Sequence, residues 1–261
     1  MSHEIKVISL VPSWTETLIE AGVQVVGRTR FCIHPEHIVQ NIPVVGGTKS
    51  IDMDACLSLD ADFILFDREE NTADMVKQCE EAGFRWIATH VTDLKSCAEE
   101  LNQLAELLKN DKLKKWSEDY QEICEKIKTQ FTDKELLLRL LIIQSGLRFF
   151  DNKLFDDNSP VSYVIWKQPY MIVTRETFIG DVLSILGIEL VSCQNYMGNK
   201  YPVIEEAKLR NTNCLFSSEP FPFEKYVQAL IDQKYSGILV DGELLSWYGI
   251  RNLKFLFRVT S

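Results

Sequence analysis

Residues 5–21 read IKVISLVPSWTETLIEA, and this stretch decides the fold. Ile5–Leu10 is short, apolar and β-branched, as a strand buried in a parallel sheet should be. Pro12 stops the strand, Ser13 or Thr15 can cap a helix, and Glu16 suits a first helical turn. The chain therefore begins a strand–turn–helix unit at about residue 5. That leaves no room for a basic segment, an apolar segment and a cleavage site. The expectation is a protein without an export signal that works in the cytoplasm. A chain trimmed of its signal peptide would read the same and would belong in the periplasm.

Outward from this unit, apolar strands alternate with amphipathic helices. Strands are expected at Ile5–Leu10, Val25–Gly27, Pro43–Val45, Asp62–Phe66 and Arg85–Thr89. Helices are expected near Thr15–Ala21, Asp52–Leu59 and Thr72–Ala82, the last with Gly83 as its C-cap. Such alternation means a mostly parallel sheet covered by helices. From Asp93 to about Phe131 there is no proline or glycine, and apolar residues recur at helical spacing. A long helix, with a break or kink within Lys109–Lys115, would act as a rigid strut between two α/β lobes. The alternation then resumes. Strands are expected at Leu138–Gln144, Cys214–Ser217 and Gly237–Val240. Helices are expected at Phe178–Gly187, Phe223–Gln233 and Asn252–Phe257. The predicted architecture is α/β: an N-terminal lobe (1–92), a connecting backbone helix (93–131) and a C-terminal lobe (132–261). Each lobe is Rossmann-like, with a ligand cleft between them.

Composition narrows the partners. The 261 residues are 46% apolar and 10% aromatic, enough for a sizeable core. No apolar run approaches the ~20 residues that span a bilayer. With 28 basic and 38 acidic side chains the net charge is −10, which repels phosphate backbones and argues against nucleic acid. The seven cysteines are scattered and contain no CxxC, the pattern of free thiols in a reducing compartment.

In open α/β sheets, ligands bind beyond the C-terminal ends of the strands. The unusual residues fall in such loops: Trp14 after the first strand, RFCIHPEH (30–37) after the second, GGTKS (46–50) after the third and DREEN (67–71) after the fourth. SSEPFPF (217–223) and DGELLSWYGIR (241–251) occupy the same place in the second half. Aromatic walls with a few polar anchors suit a bulky, partly apolar organic ligand. Trp14, Tyr201, Trp247 and Tyr248 would supply apolar contact. Arg251, Glu219 and His34 would fix orientation through charge-assisted hydrogen bonds. Trp14 and Trp247 could instead plug the edges of their own lobes. Cys32, His34 and His37 form C-x-H-x-x-H, which lacks a fourth ligand and reads as loop rather than metal site. GxSxG, GxxxxGK[ST], HExxH and GxGxxG are all absent, so an enzyme is not expected. The enzymatic alternative rests on Cys32 as nucleophile and His34 as base, beside Glu69 and Glu70.

ISLVPSWTETLIEAG, VVGGTKSIDMDACLSLDADFILF and the long central helix together resemble the helical-backbone (class III) periplasmic-type binding proteins. This family includes the cobalamin and siderophore receptors of ABC importers. RFCIHP, SSEPFPF and DGELLSWYGIR resemble a cobalamin-binding-like branch of it. The resemblance covers essentially the whole chain. It implies two lobes joined by a backbone helix and a cobalamin-like or metal-chelate ligand (siderophore- or heme-like). No covalently bound cofactor is implied. The cleft tryptophans of cobalamin receptors fall at Thr48 and Tyr201. The glutamates that dock such receptors on an ABC permease fall at Asp54 and near Ala207, beside Glu205 and Glu206. The implied ligand set is Trp14, Cys32, His34, Thr48, Glu70, Tyr201, Glu219, Trp247, Tyr248 and Arg251. A cytosolic ligand sensor using the same cleft is the other alternative.

Overall fold

The computed structural model describes residues 4–130, 160–191 and 198–260, without the side chains of residues 129 and 130. The chain is α/β, with parallel sheets and long helices, and divides into two compact units. The first comprises residues 1–91, 95–121 and 247–254. The second comprises 92–94, 122–246 and 255–261.

In the first unit β1 (Lys6–Ser9) runs into α1 (Pro12–Ala21), followed by β2 (Gln24–Arg28) and a short α2 (Glu36–Val39). A two-residue ribbon, β3 (Gly46–Gly47) against β4 (Ser50–Ile51), precedes α3 (Met53–Leu57). Then come β5 (Phe63–Asp67), α4 (Ala73–Glu81) and β6 (Trp86–Thr89). The sheet order is β2-β1-β5-β6, all parallel. Every residue of β5 is buried, as a central parallel strand covered on both faces requires. Ile8, Leu10, Val45, Cys56, Ile64, Phe66, Met75 and Cys79 make one core cluster.

Local chemistry sets the boundaries. α1 starts three residues earlier than Thr15, because Pro12 sits at its first position, where the missing N–H costs nothing. Neither Ser13 nor Thr15 caps it. Val11 precedes the helix, and the Thr15 hydroxyl bonds back to the Val11 carbonyl at 2.9 Å. Asp52 caps α3 by accepting from the Ala55 N–H at 3.0 Å, and the Thr72 hydroxyl accepts from Met75 N–H at the start of α4. The expected strand at Pro43–Val45 is only an isolated bridge from Val44 to Arg28, since Pro43 has no N–H for a ladder.

The long helical stretch is two helices, α5 (Leu94–Leu108) and α6 (Asp111–Gln130). Lys109 turns the chain at φ +51°, and the Asn110 carboxamide oxygen accepts from the N–H groups of Lys112 and Leu113, both at 3.0 Å. Asn110 is therefore an N-cap hidden in a run of helix formers. The twenty residues of α6 rise ~30 Å. They belong to the first unit up to Gln121 and to the second from Glu122.

The second unit contains β7 (Val161–Trp166), β8 (Met171–Ile172), α7 (Phe178–Ile185), α8 (Glu206–Leu209) and β9 (Asn213–Ser217). A 3₁₀ turn at Phe223–Tyr226 leads into α9 (Val227–Asp232), so the helix expected over Phe223–Gln233 opens with a tighter turn. β10 (Gly237–Val240), α10 (Gly242–Ser246) and α11 (Ile250–Val259) follow. Sheet order is β10-β9-β7-β8, parallel except for the β7–β8 hairpin. The strand expected at Leu138–Gln144 lies outside the described residues.

Candidate functional site

The strand-end loops of the first unit are stitched from beneath by a buried polar network. The Trp14 indole N–H donates to Thr89 Oγ1 at 2.8 Å, and the Thr89 hydroxyl donates to Asp67 Oδ2 at 2.7 Å. Asp67, fully buried, also accepts from the N–H groups of Glu69 and Val91. Burial pushes its carboxyl above the usual carboxylate range, against these hydrogen bonds, which favour the anion. The Tyr248 phenol faces Ser13 and Asp67, and burial raises it well above its ordinary value of 10.

Tyr248 comes from the distant segment Trp247–Lys254, which is folded into the first unit. Its ring meets Trp14 edge-on, with centroids 5.2 Å apart. Gly249 follows at φ +83°, where a Cβ would lie 2.3 Å from Thr17 Oγ1, so only glycine fits. Thr17 Oγ1 in turn accepts the Ile250 N–H at 3.1 Å, and the Tyr120 hydroxyl donates to the Gly249 carbonyl at 2.7 Å. Arg251 then forks onto Glu16, Nε and Nη2 lying 2.8 and 3.0 Å from its two oxygens. The guanidinium also covers the Trp247 ring at 5.2 Å, and the His34 ring meets Trp247 edge-on at 5.5 Å.

This geometry sorts the expected site residues. Trp247, His34, Thr48 and Glu70 are half-buried. Trp247 and His34 are in contact, a pairing that no spacing in the sequence announces. Trp14, Cys32 and Tyr248 differ from these four in burial. All three are buried inside the first unit, so Trp14 plugs its own unit rather than offering an apolar wall. Arg251 directs Nε and Nη2 of its fork to Glu16.

Cys32 is not arranged as a nucleophile. Its sulfur sits 3.1 Å from Thr15 Oγ1 and 3.2 Å from Thr29 Oγ1, and burial pushes the thiol above its usual value. A catalytic thiol needs the reverse shift and access. His34 packs on Trp247, and His37 is exposed on α2. The C-x-H-x-x-H residues thus do not converge. Among the described residues no group of three or more His, Cys, Asp or Glu is placed to hold a metal ion.

The second unit places Glu219 beyond β9, where its Oε1 accepts from the Ser246 hydroxyl at 2.6 Å. Tyr201 lies on the segment hydrogen-bonded along β8, at the sheet edge away from β10. Strand spacing of about 4.8 Å puts that segment ~14 Å from β9, so Tyr201 and Glu219 are not neighbours within this sheet. Asp54, Glu205 and Glu206 are exposed; Glu206 pairs with Arg210 and accepts from the Tyr235 hydroxyl at 2.9 Å.

Two features escaped the sequence reading. Asn71 bonds to three separate loops of the first unit. In the second unit, β7 and the loop after β9 carry an aromatic cluster. Phe221 meets Trp166 at 5.6 Å and Tyr226 at 5.1 Å, and Lys167 Nζ lies 4.9 Å from the Tyr226 ring. Trp166 is 41% exposed and Tyr226 39%. The β7 register, Val164 beside Phe216, puts Trp166 level with Ser218 at the strand ends. The run VSYVIW, rich in β-branched and aromatic residues, was the signal that could have found this strand.

Solved structures identify the architecture. The chain has the fold of the substrate-binding proteins of ABC importers. It is similar to the periplasmic vitamin B12-binding protein BtuF of Vibrio cholerae, at 15% identity and TM-score 0.69, over 98% of this chain and 94% of that one. It is similar to the periplasmic heme-binding protein RhuT of Roseiflexus sp. RS-1, at 14% identity and TM-score 0.74, over 99% and 97%. A periplasmic heme-binding protein of Pseudomonas aeruginosa matches at 18% identity and TM-score 0.72, over 98% and 91%. No family model and no curated protein matches the sequence. Among the described residues no helix is long and apolar enough to cross a membrane.

Proposed function

We propose that this protein is a ligand-binding receptor of the ABC-importer type, and that its ligand is a large metal chelate of the cobalamin or heme kind. The observation that carries this reading is the similarity over 98–99% of the chain to receptors for vitamin B12 and heme. The strand-end chemistry supports it. Trp247 backed by His34 offers an apolar face, Thr48 and Glu70 offer polar anchors, and Trp166, Phe221 and Glu219 offer a second set. Asp54, Glu205 and Glu206, all exposed, are the proposed contacts to a permease. The buried, proton-retaining Cys32 speaks against the enzymatic alternative. The six described cysteines are all free thiols, which favours a reducing compartment as the place of action.

The test is a thermal-shift titration of the purified protein with cyanocobalamin, cobinamide, hemin and a ferric hydroxamate chelate. A ligand at 100 times its dissociation constant adds ~2.7 kcal/mol of stability, a clear rise in midpoint. A saturable shift with a corrinoid or hemin is expected. Unchanged midpoints with all four compounds would overturn the reading.

A further inference from the structure

Three loops emerge side by side at the strand ends of the first unit: the β1–α1 turn, the β3–β4 ribbon and the β5–α4 loop. The ribbon is the least supported of them. It has two ladder residues on each side, its turn residue Lys49 is exposed, and Gly46 and Gly47 give it little side-chain packing. A two-residue ribbon does not hold itself in water. Its backbone is tied to the unit through Arg30 N–H to the Gly46 carbonyl at 2.9 Å and Asp52 N–H to the Val45 carbonyl at 2.8 Å.

A single half-buried carboxamide binds all three loops. Asn71 Nδ2 donates to the Thr48 carbonyl at 2.9 Å in the ribbon and to the Leu10 carbonyl at 3.2 Å after β1. Its Oδ1 accepts the Asp67 N–H at 2.8 Å at the end of β5. Both donors and the acceptor are thus used, each on a different loop. Asn71 N–H also bonds to the Asp67 carbonyl at 2.8 Å, which fixes the backbone from which the side chain reaches. No other residue type of this length supplies two donors and an acceptor from one planar group.

We propose that Asn71 is the positioning residue of the ligand site. It sets the spacing of Thr48 relative to Asp67–Glu70 and so decides whether these loops can receive a ligand. The inference rests on the binding-protein reading above for its consequence, and on these hydrogen bonds for its mechanism. Asn71 touches no ligand in this scheme; it acts through the ribbon.

Two variants separate a clamp from a space-filler. Asn71→Ala removes all three bonds and some volume. Asn71→Asp keeps the volume and the acceptor for Asp67 N–H but turns an oxygen toward two carbonyls. If Asn71 only fills space, the isosteric Asp variant behaves like the native chain and Ala is the worse of the two. If it is the clamp, Asp is as damaging as Ala or more so. The readouts are amide hydrogen exchange at Arg30 and Asp52, and dissociation constants for whichever of cyanocobalamin, cobinamide, hemin and the ferric hydroxamate chelate the native protein binds. Exchange at both amides should quicken at least tenfold in Asn71→Asp, with Ile8 and Ile64 in the sheet unchanged, and affinity should fall at least tenfold. Native exchange at Arg30 and Asp52 in the Asp variant overturns the clamp. Faster exchange with native affinity overturns its role in the site. Should the native protein bind none of the four compounds, the receptor reading and the positioning role fail together, while the exchange result still decides the clamp.

Discussion

The strand ends of the two units solve the same topological problem in opposite ways. In the first unit they are bound from below: Trp14, Thr89 and Asp67 are buried and hydrogen-bonded, Tyr248 is buried against the Trp14 ring, and the segment Trp247–Lys254 is folded over α1. In the second unit the corresponding level carries rings that remain open to solvent, Trp166 and Tyr226 around Phe221. Aromatic residues at equivalent places in the topology therefore do different jobs. Trp14 and Tyr248 of the first unit hold the fold, and Trp166 and Tyr226 of the second present surface. A tryptophan in a strand-end loop is not by itself a sign of ligand contact.

That contrast can be broken most forcefully at Trp14. Trp14→Ala removes a fully buried ring and the donor to Thr89, and should destabilise the protein by ~3–5 kcal/mol in urea unfolding. A loss under ~1 kcal/mol would mean that the first unit is not built on this residue. Next comes Glu16, largely buried and bidentate to Arg251. Glu16→Ala leaves the guanidinium without its carboxylate and should cost ~2–3 kcal/mol, measured by the same unfolding curves. If Arg251→Ala proves equally costly and the double variant no worse than either, the pair acts as a unit.

Asp67 sharpens the comparison through pH. Its carboxyl is raised in the folded state, mainly by burial, so the folded protein holds the proton more tightly than the unfolded chain. Stability from this group is present below the ordinary carboxylate value of about 4 and is lost as pH rises through the higher folded value. Asp67→Asn lacks that titration. Its stability relative to the native chain should improve as pH goes from 4 to 7, and a flat difference would show that Asp67 is not the group responsible. The smallest effect belongs to the second unit. Trp166→Ala should change stability by under ~1 kcal/mol, because 41% of the residue is open to solvent and it sits at the end of its strand. A larger loss would place Trp166 among the structural aromatics and erase the contrast.

Much of this architecture could be read from residue order. β1, β2, β5, β6, β9 and β10 each appear as apolar runs, and Gly237–Val240 coincides with its strand to the residue. The α6 helix was legible from its spacing, and its start was not, because Asn110 looks like one more polar residue among lysines. Val161–Trp166 was equally legible, as a run of β-branched and aromatic residues directly after the turn-forming residues DDNSP (156–160). The site was less legible for a plainer reason. Whether Trp14 faces ligand or core depends on which remote segment covers it, and the covering residue Tyr248 lies 234 positions further along the sequence. Burial by a distant segment leaves no trace in local pattern. Asn71 was invisible for the same reason, as its three partners lie on three loops.

The hydrogen bonds from Ile250 and Arg251 to Thr17 and Glu16 join residues separated by 233 and 235 positions. During synthesis from the amino terminus, α1 leaves the ribosome long before the segment that will cover Trp14 and neutralise Glu16 exists. The nascent first unit therefore carries an open apolar seam and an unpaired carboxylate until residues 247–254 have emerged. Contacts this remote are slow to form, so a holding chaperone has both a surface to grip and time in which to grip it.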